Sequence, residues 1–324
     1  MLTASRRRSP RFLRLARARP GTPSRVQLSF GTAAVDVVLP DVRAVTAGES
    51  APHPFLKWAG GKRQLLPQLL PRVLPRIQSG FHEPFIGGGA LFFELSGLGV
   101  LPARVTLSDA NPNLVECYTM VRDQLYALVE HLREHQARHG EGYFYAVRGA
   151  IPTEPVERAA RLIYLNKTCF NGLYRENRKG RFNVPFGKYL NPAILDQQNL
   201  VATSRALAGV ELSVADFATV RDRAQRGDFV YFDPPYVPVS TTASFTAYAK
   251  AGFGPADQVR LRDVVVELAG GGVHFLLSNS MTPSVRELYG AFDIATVHAS
   301  RSVNRNADGR GKVEEALVSN IVIS

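Results

Sequence analysis

"GFHEPFIGGGALFFELSGLG", Gly80 to Gly99, reads as a strand, a tight loop and a helix. Apolar residues run into Glu83-Pro84, and proline ends a strand because it has no N–H to continue the ladder. Gly87, Gly88 and Gly89 then let the backbone turn sharply and approach a ligand closely, beside the free N–H groups that open a helix. "ALFFELSGLG" supplies that helix. "ARVTLSDAN" follows as a second strand ending in Asp109.

The alternation continues outward. "GVELSVADF" and "DFVYFDPPY" read as the third and fourth strands, and "DQVRLRDVVVELAGG" as a helix. "GVHFLLSNS", "FDIATVHAS" and "EEALVSNIVIS" are the strands that close the chain. "NPNLVECYTMVRDQLYALVEHLREHQAR" reads as one long amphipathic helix. This order predicts an α/β fold with a doubly wound, mostly parallel, Rossmann-like sheet. Such sheets bind ligands at the carboxyl ends of their strands, where Glu83, Asp109, Asp216 and Asp233 stand. About residues 120–205 interrupt the pattern with a mostly helical insertion. It carries one hairpin, "LYRENRKGRFNVPFGKY", turning at Asn177 to Gly180. Arg175, Arg178, Lys179, Arg181 and Lys188 are interleaved there with Tyr174, Phe182 and Phe186. Such a pattern suits nucleic acid, and equally a solvated hairpin that packs its aromatics inward.

The 324 residues can bury a sizeable core, and no apolar run reaches the roughly 18–20 residues that span a bilayer. Cys117 and Cys169 are the only cysteines, which excludes a disulfide framework and a four-cysteine zinc site and suits a cytoplasmic protein. The net charge of +11 is unevenly placed: residues 1–50 carry nine arginines against Asp36, Asp41 and Glu49. The first 25 residues hold eight arginines and no acid. They could bind DNA phosphates as a disordered tail, act as an organellar transit peptide, or have no role. Residues 1–50 are expected to be a disordered extension and residues 51–324 the folded domain.

"DFVYFDPPYVP", Asp228 to Pro238, asks for more than a turn. Asp-Pro alone is an ordinary turn opener. Here two prolines stiffen the residues before them and remove two N–H donors. The Asp233 carboxylate and free backbone carbonyls remain, beside the flat ring of Tyr236. An acceptor-only patch next to an aromatic face suits a planar ligand carrying an NH2 group, such as a nucleobase. Asp109, about 20 residues beyond the glycine loop, can grip ribose hydroxyls. Loop and acid fit a dinucleotide as well as S-adenosylmethionine, although Phe92 stands where the dinucleotide fingerprint wants its third glycine. "WAGGKRQ" lacks the first glycine of a phosphate loop, and Arg63 replaces its Ser or Thr, so a nucleoside triphosphatase is rejected.

"FLKWAGGK" (Phe55–Lys62), "EPFIGGGALFF" (Glu83–Phe93), "SDAN" (Ser108–Asn111), "YLNKTCFNGLYRENRKGRFNVPFGKY" (Tyr164–Tyr189) and "DPPY" occur in one order. That order resembles the Dam-type DNA adenine-N6 methyltransferases over about residues 54–324. The resemblance implies S-adenosylmethionine as cofactor, S-adenosylhomocysteine as product, no metal, and double-stranded DNA as partner. It further implies a monomer at home in bacteria or phage, and leaves open an orphan enzyme, a partner of a cognate restriction endonuclease and a phage product. The implied cofactor residues are Trp58, Lys62, Glu83, Phe85, Gly87, Gly89, Asp109, Asp216, Phe217 and Asp233. Asp233, Pro234 and Tyr236 are implied as catalytic: two acceptors for the adenine N6–H bonds and a ring to stack on the base. For DNA the implied contacts are Lys57, Phe170, Asn171, Leu173, Arg175 and Pro185, with Lys57 and Arg175 on guanines of a GATC site. Where some members place a wedging tyrosine, this chain has Phe170.

Other functions fit less well. A cytosine-C5 enzyme needs a nucleophilic cysteine, normally after proline, whereas Glu116 and Thr168 precede the two cysteines. A cytosine-N4 enzyme targets the same kind of amine, and motif order and "NGLYR" argue against it. A non-catalytic DNA-binding protein on this fold has no reason to keep Lys62, Asp109, Asp233 and Tyr236 together.

Overall fold

A computed structural model of the chain describes residues 24–30, 33–39, 50–177, 179–237, 253–300 and 312–321. Within the basic first fifty residues, β1 (Ser24–Phe30) and β2 (Ala33–Leu39) pair antiparallel, Ser24 opposite Leu39. The other residues of that segment up to 49, and Arg178 of the hairpin, lie outside the described residues.

Helix α1 (Leu66–Val73) precedes β3 (Gly80–Glu83), α2 (Ala90–Gly97) and β4 (Arg104–Asp109). Then come α3 (Pro112–Asp123), α4 (Leu125–Ala137), α5 (Glu141–Gly149), α6 (Pro155–Thr168) and α7 (Gln197–Ala206). The chain returns to the sheet with β5 (Glu211–Val214) and β6 (Phe229–Phe232). It continues through α8 (Pro255–Gly270), β7 (His274–Ser280), α9 (Pro283–Leu288), β8 (Asp293–Ser300) and β9 (Lys312–Ser319).

The seven strands lie in the order β5-β4-β3-β6-β7-β9-β8. β5, β4, β3, β6 and β7 are parallel, and β9 runs antiparallel to both β7 and β8. From β3 the chain winds outward through β4 to β5, then crosses back to β6 on the other side of β3. The carboxyl ends of β3 and β6 therefore flank the topological switch point, where doubly wound sheets open a crevice for ligands. Both faces of the sheet are covered, so inward residues alternate between two cores. Phe229 and Tyr231 of β6 face the cluster built with α1 to α7, while Val230 and Phe232 face the cluster built with α8 and α9. Leu128, Phe144, Leu165, Phe182 and Val184 of the insertion join the same cluster as Phe81 and Leu107 of the sheet. The insertion and the sheet thus share one core.

The expected single helix after Asp109 is two. Asn111 caps α3, its side chain accepting from the N–H groups of Asn113 and Leu114, and Pro112 occupies the first turn. Gln124, at φ −128°, then leaves helical geometry and separates α3 from α4. Buried Leu114, Tyr118, Val121, Leu128 and Leu132 keep helical spacing across the break. The apolar stripe stays in phase, so the pattern reads as continuous.

Candidate active site

The glycine loop sits on β3 as a cradle. Ile86 N–H donates to Ser108 O at 3.0 Å and Gly89 N–H to Ile86 O at 2.7 Å. Gly87 and Gly89 lie at φ +47° and +66°, backbone geometry that favours glycine. A Cβ on Gly87 would come within 2.9 Å of Trp58 Cδ1, so the missing side chain is what lets the indole lie on the loop. Trp58 stacks on Tyr174, ring centroids 5.0 Å apart, which joins the loop to the insertion. Asp109 braces the cradle from β4: Oδ2 accepts from Gly87 N–H at 3.2 Å and Oδ1 from Asn111 N–H at 2.9 Å. Burial raises the Asp109 carboxyl above its ordinary value, opposed by the N–H groups of Asn111, Gly87 and Ala110.

Three ionisable groups meet at the switch point. Lys62, 5% exposed, brings Nζ to 2.8 Å from Asp233 Oδ1 and 2.5 Å from Gly60 O. The same ammonium lies 4.5 Å from the Tyr236 ring centroid. The ammonium and the Asp233 carboxylate thus form a close ion pair. Burial pushes the Asp233 carboxyl above its ordinary range; Lys62 pulls it back and Glu315 adds to the rise. Glu83 is 2% exposed, and its Oε2 has no hydrogen-bond partner among the described residues. Burial, then repulsion from Asp233, drives its carboxyl well above the usual range, with the Phe92 N–H opposing. Gly60, Lys62, Glu83, Ile86, Tyr231 and Asp233 line a small cavity between them. A larger cavity, about 980 Å³, lies between α2 and α7; Arg205 is its one charged lining residue among those described.

The segment after β6 is anchored by distant elements. The Tyr236 hydroxyl donates to Glu315 Oε2 on β9 at 2.6 Å. Gln258 Nε2 on α8 donates to Pro235 O at 3.0 Å, and Asn279 Oδ1 on β7 accepts from Val237 N–H at 3.0 Å.

Phe85, Asp216 and Phe217 form a neighbouring cluster. Phe85 and Phe217 stack at 5.4 Å, with Phe253 edge-on to Phe85. Arg260 lies 5.0 Å over Phe217 and bridges to Asp216 at 2.9 Å. Asp216 also accepts from Ala218 N–H at 2.9 Å, capping a 3₁₀ turn. Asp216 thus already has two partners.

Lys57, Phe170, Asn171, Leu173, Arg175 and Pro185 are all exposed. Buried Asn166 joins Lys57 to this group: its side chain accepts from Lys57 N–H and donates to Lys57 O, both at 2.7 Å, and donates to Gly172 O at 3.1 Å. Lys57 Nζ sits 4.6 Å over the Tyr189 ring. The hairpin closes through isolated antiparallel bridges, Cys169 with Phe186 and Glu176 with Phe182, and Gly180 takes the left-handed turn position at φ +68°. Arg175 Nε donates to Asn183 Oδ1 at 2.7 Å.

Reading the sequence alone misses Glu315, Gln258, Asn279 and Asn166, and undervalues Tyr174. The first three lie beyond or far from every motif. Asn166 and Tyr174 lie inside a quoted motif, yet nothing local marks their partners. Among the described residues no group of three or more His, Cys, Asp or Glu could hold a metal ion, and no helix is long and apolar enough to cross a membrane.

Sheet order, glycine loop and the acids at the switch point define a Rossmann-like α/β class. Residues 58–303 match the family described as D12 class N6 adenine-specific DNA methyltransferase, and the chain belongs to that family. It is 44% identical over 275 residues to Type II methyltransferase M1.LlaDCHI of Lactococcus lactis subsp. cremoris, a match covering 82% of this chain and 95% of that protein. Type II methyltransferase M.MjaIII of Methanocaldococcus jannaschii is 39% identical over 285 residues, covering 82% and 98%. The DNA adenine methylase of Vibrio cholerae is 34% identical over 268 residues, covering 81% and 94%. The enzyme is accordingly an adenine-specific DNA methyltransferase, and S-adenosylmethionine dependence comes with the family.

Proposed function

We propose that Asp233, Pro234 and Tyr236 carry out methyl transfer to adenine N6 within GATC. The observation that carries this reading is the Lys62 ammonium, held 2.8 Å from Asp233 and 4.5 Å from the Tyr236 ring. A nitrogen bearing N–H bonds, next to this carboxylate and this ring, is what the target amine would be. The N6 lone pair is delocalised into the adenine ring. By accepting N6–H bonds, the Asp233 carboxylate and the Pro234 carbonyl favour a pyramidal nitrogen with its lone pair free. Tyr236 stacks on the extruded base, whose unstacking costs roughly a few kcal/mol. Fixed placement of acceptors supplies most of the acceleration.

The residues fit the cofactor on one structural ground: the buried Glu83 Oε2, without a hydrogen-bond partner among the described residues, could receive a donor such as the cofactor's amino group. S-adenosylmethionine supplies the methyl group as an electrophilic sulfonium. Lys62 would hold its carboxylate, Trp58, Gly87 and Gly89 would form the surface beneath it, and Asp109 would grip the ribose. Phe85 and Phe217 offer apolar faces to the adenine, and Asp216 an acceptor at its edge. With the cofactor's carboxylate beside Lys62, Asp233 would be left to the target base.

Lys57 and Arg175 would read guanines, with Phe170 filling the space the extruded base leaves; Asn171, Leu173 and Pro185 lie on the same exposed face. The Type II names of two relatives support a restriction-modification setting, with a companion endonuclease for the same site. The test is transfer from labelled S-adenosylmethionine onto unmethylated DNA, with nucleoside analysis and mapping of modified positions. N6-methyladenine at GATC is expected. N6-methyladenine at another sequence would remove the target reading and leave the chemistry.

A further inference from the structure

Pro234 and Pro235 leave the segment after β6 with acceptors and few donors, so its own backbone cannot hold it. Two buried amides do so instead. Gln258 is 2% exposed and Asn279 0%. Gln258 Nε2 donates to Pro235 O at 3.0 Å, and Gln258 Oε1 accepts from Asn279 Nδ2 at 3.1 Å. Asn279 Oδ1 accepts from Val237 N–H at 3.0 Å, and from Ser280 N–H at 2.9 Å. The bonds close a ring: Pro235, Gln258, Asn279, Val237, with Tyr236 as the one residue between its ends.

The ring has one workable orientation. Flipping Gln258 would set Oε1 against the Pro235 carbonyl, and flipping Asn279 would set Nδ2 against the Val237 N–H. Each flip also breaks the bond between the two amides. A buried network with every member satisfied is rigid, and a half-satisfied one is costly. Its anchors are the first turn of α8 and the carboxyl-terminal end of β7, neither within the Asp233–Tyr236 motif.

We propose that Gln258 and Asn279 are positioning residues for methyl transfer, holding both chain neighbours of Tyr236 so that its ring and the Pro234 carbonyl keep their places around the target amine. The inference rests on the catalytic role given above to Asp233, Pro234 and Tyr236. Neither residue touches the base. They act by fixing the loop, and a displacement of about 1 Å at a reaction centre can lower a rate on the order of 100-fold.

Gln258→Glu keeps the shape and replaces the donor facing Pro235 O with an acceptor. Asn279→Asp removes the bond to Gln258 and keeps the acceptor for Val237 N–H. The experiment measures kcat, DNA KM and S-adenosylmethionine Kd for both variants, for wild type and for Asp233→Ala, with active sites counted by cofactor titration. Expected is a kcat per site lowered roughly 10–100-fold in Gln258→Glu and less in Asn279→Asp. Cofactor Kd and DNA KM should stay within about threefold. 2-Aminopurine at the target position should still brighten on extrusion, and brighter than in wild type, because stacking on Tyr236 quenches it. A lower melting temperature with kcat per site unchanged would reduce the ring to a structural element and overturn the inference. If Asp233→Ala kept its activity, the catalytic reading itself would fall; if Asp233→Ala were dead while Gln258→Glu turned over normally, only the inference would.

Discussion

The segment after β6 and the hairpin after α6 are built to opposite plans. Asp233 to Val237 is held from α8, β7 and β9 as well as by Lys62. The hairpin is closed by isolated bridges and displays its candidate DNA residues to solvent, Phe170 at 52% exposure and Leu173 at 41%. Methyl transfer needs reacting groups in fixed relation before the substrate arrives. Base reading needs side chains that reach from the surface and settle on their partner, with ordering entropy lost at that moment. The proposed reaction centre is held by distant anchors, whereas the candidate reading residues lie exposed on a hairpin rooted by Asn166, by the Trp58–Tyr174 stack and by the buried Phe182 and Val184.

The largest expected effect falls on the rigid side. Asp233→Ala should lower kcat on the order of 10³-fold while DNA binding in a filter or anisotropy assay stays unchanged. Comparable activity in that variant would break the comparison at its first term. On the adaptable side, Arg175→Ala should relax discrimination at one base pair by about 1–3 kcal/mol, read from kcat/KM on matched and singly substituted sites, with little change in kcat at saturating DNA.

Acidity sharpens the contrast. On the proposed mechanism Asp233 must be ionised to accept N6–H, and burial raises its pKa. Activity should therefore fade on acidification at a higher pH than an ordinary carboxylate would allow. Glu315→Gln removes a like charge that contributes to the rise, so the acid limb of the kcat/KM profile should move to lower pH; a limb that moves upward would contradict the assignment. The smallest effect concerns Glu83, whose pKa is raised well above its ordinary 4.5. A carboxyl raised by folding is tolerated while protonated and weakens the fold as pH climbs past its unfolded value. Glu83→Gln should thus melt about 2 °C higher at neutral pH without cofactor, match wild type below pH 4.5, and bind S-adenosylmethionine more weakly. An unchanged melting curve at neutral pH would mean that the buried carboxyl has found a partner.

Much of this was legible in the sequence because it is local. Seven strands, the left-handed glycines and the acids at strand ends are short-range signals, and the motif order carried the family. What stayed hidden is long-range or in phase. Glu315 meets Tyr236 only because β9 folds back antiparallel beside β7, setting Glu315 opposite Ser280. Gln258 and Asn279 look like an ordinary helix and strand residue until the sheet brings them together. Arg260 over Phe217 has no counterpart in the spacing of either. The break at Gln124 leaves the apolar stripe undisturbed.

Asn166 clamps Lys57 to Gly172, and five residues after Lys57 the same strand of chain delivers Lys62 to Asp233. The root of the reading face and the ammonium at the reaction centre thus share one short strap. A substitution that shifts the hairpin would therefore also pull on that strap. On the proposed roles, a hairpin borrowed from a relative would have to travel with residues 55–62 to keep the recipient's chemistry in tune.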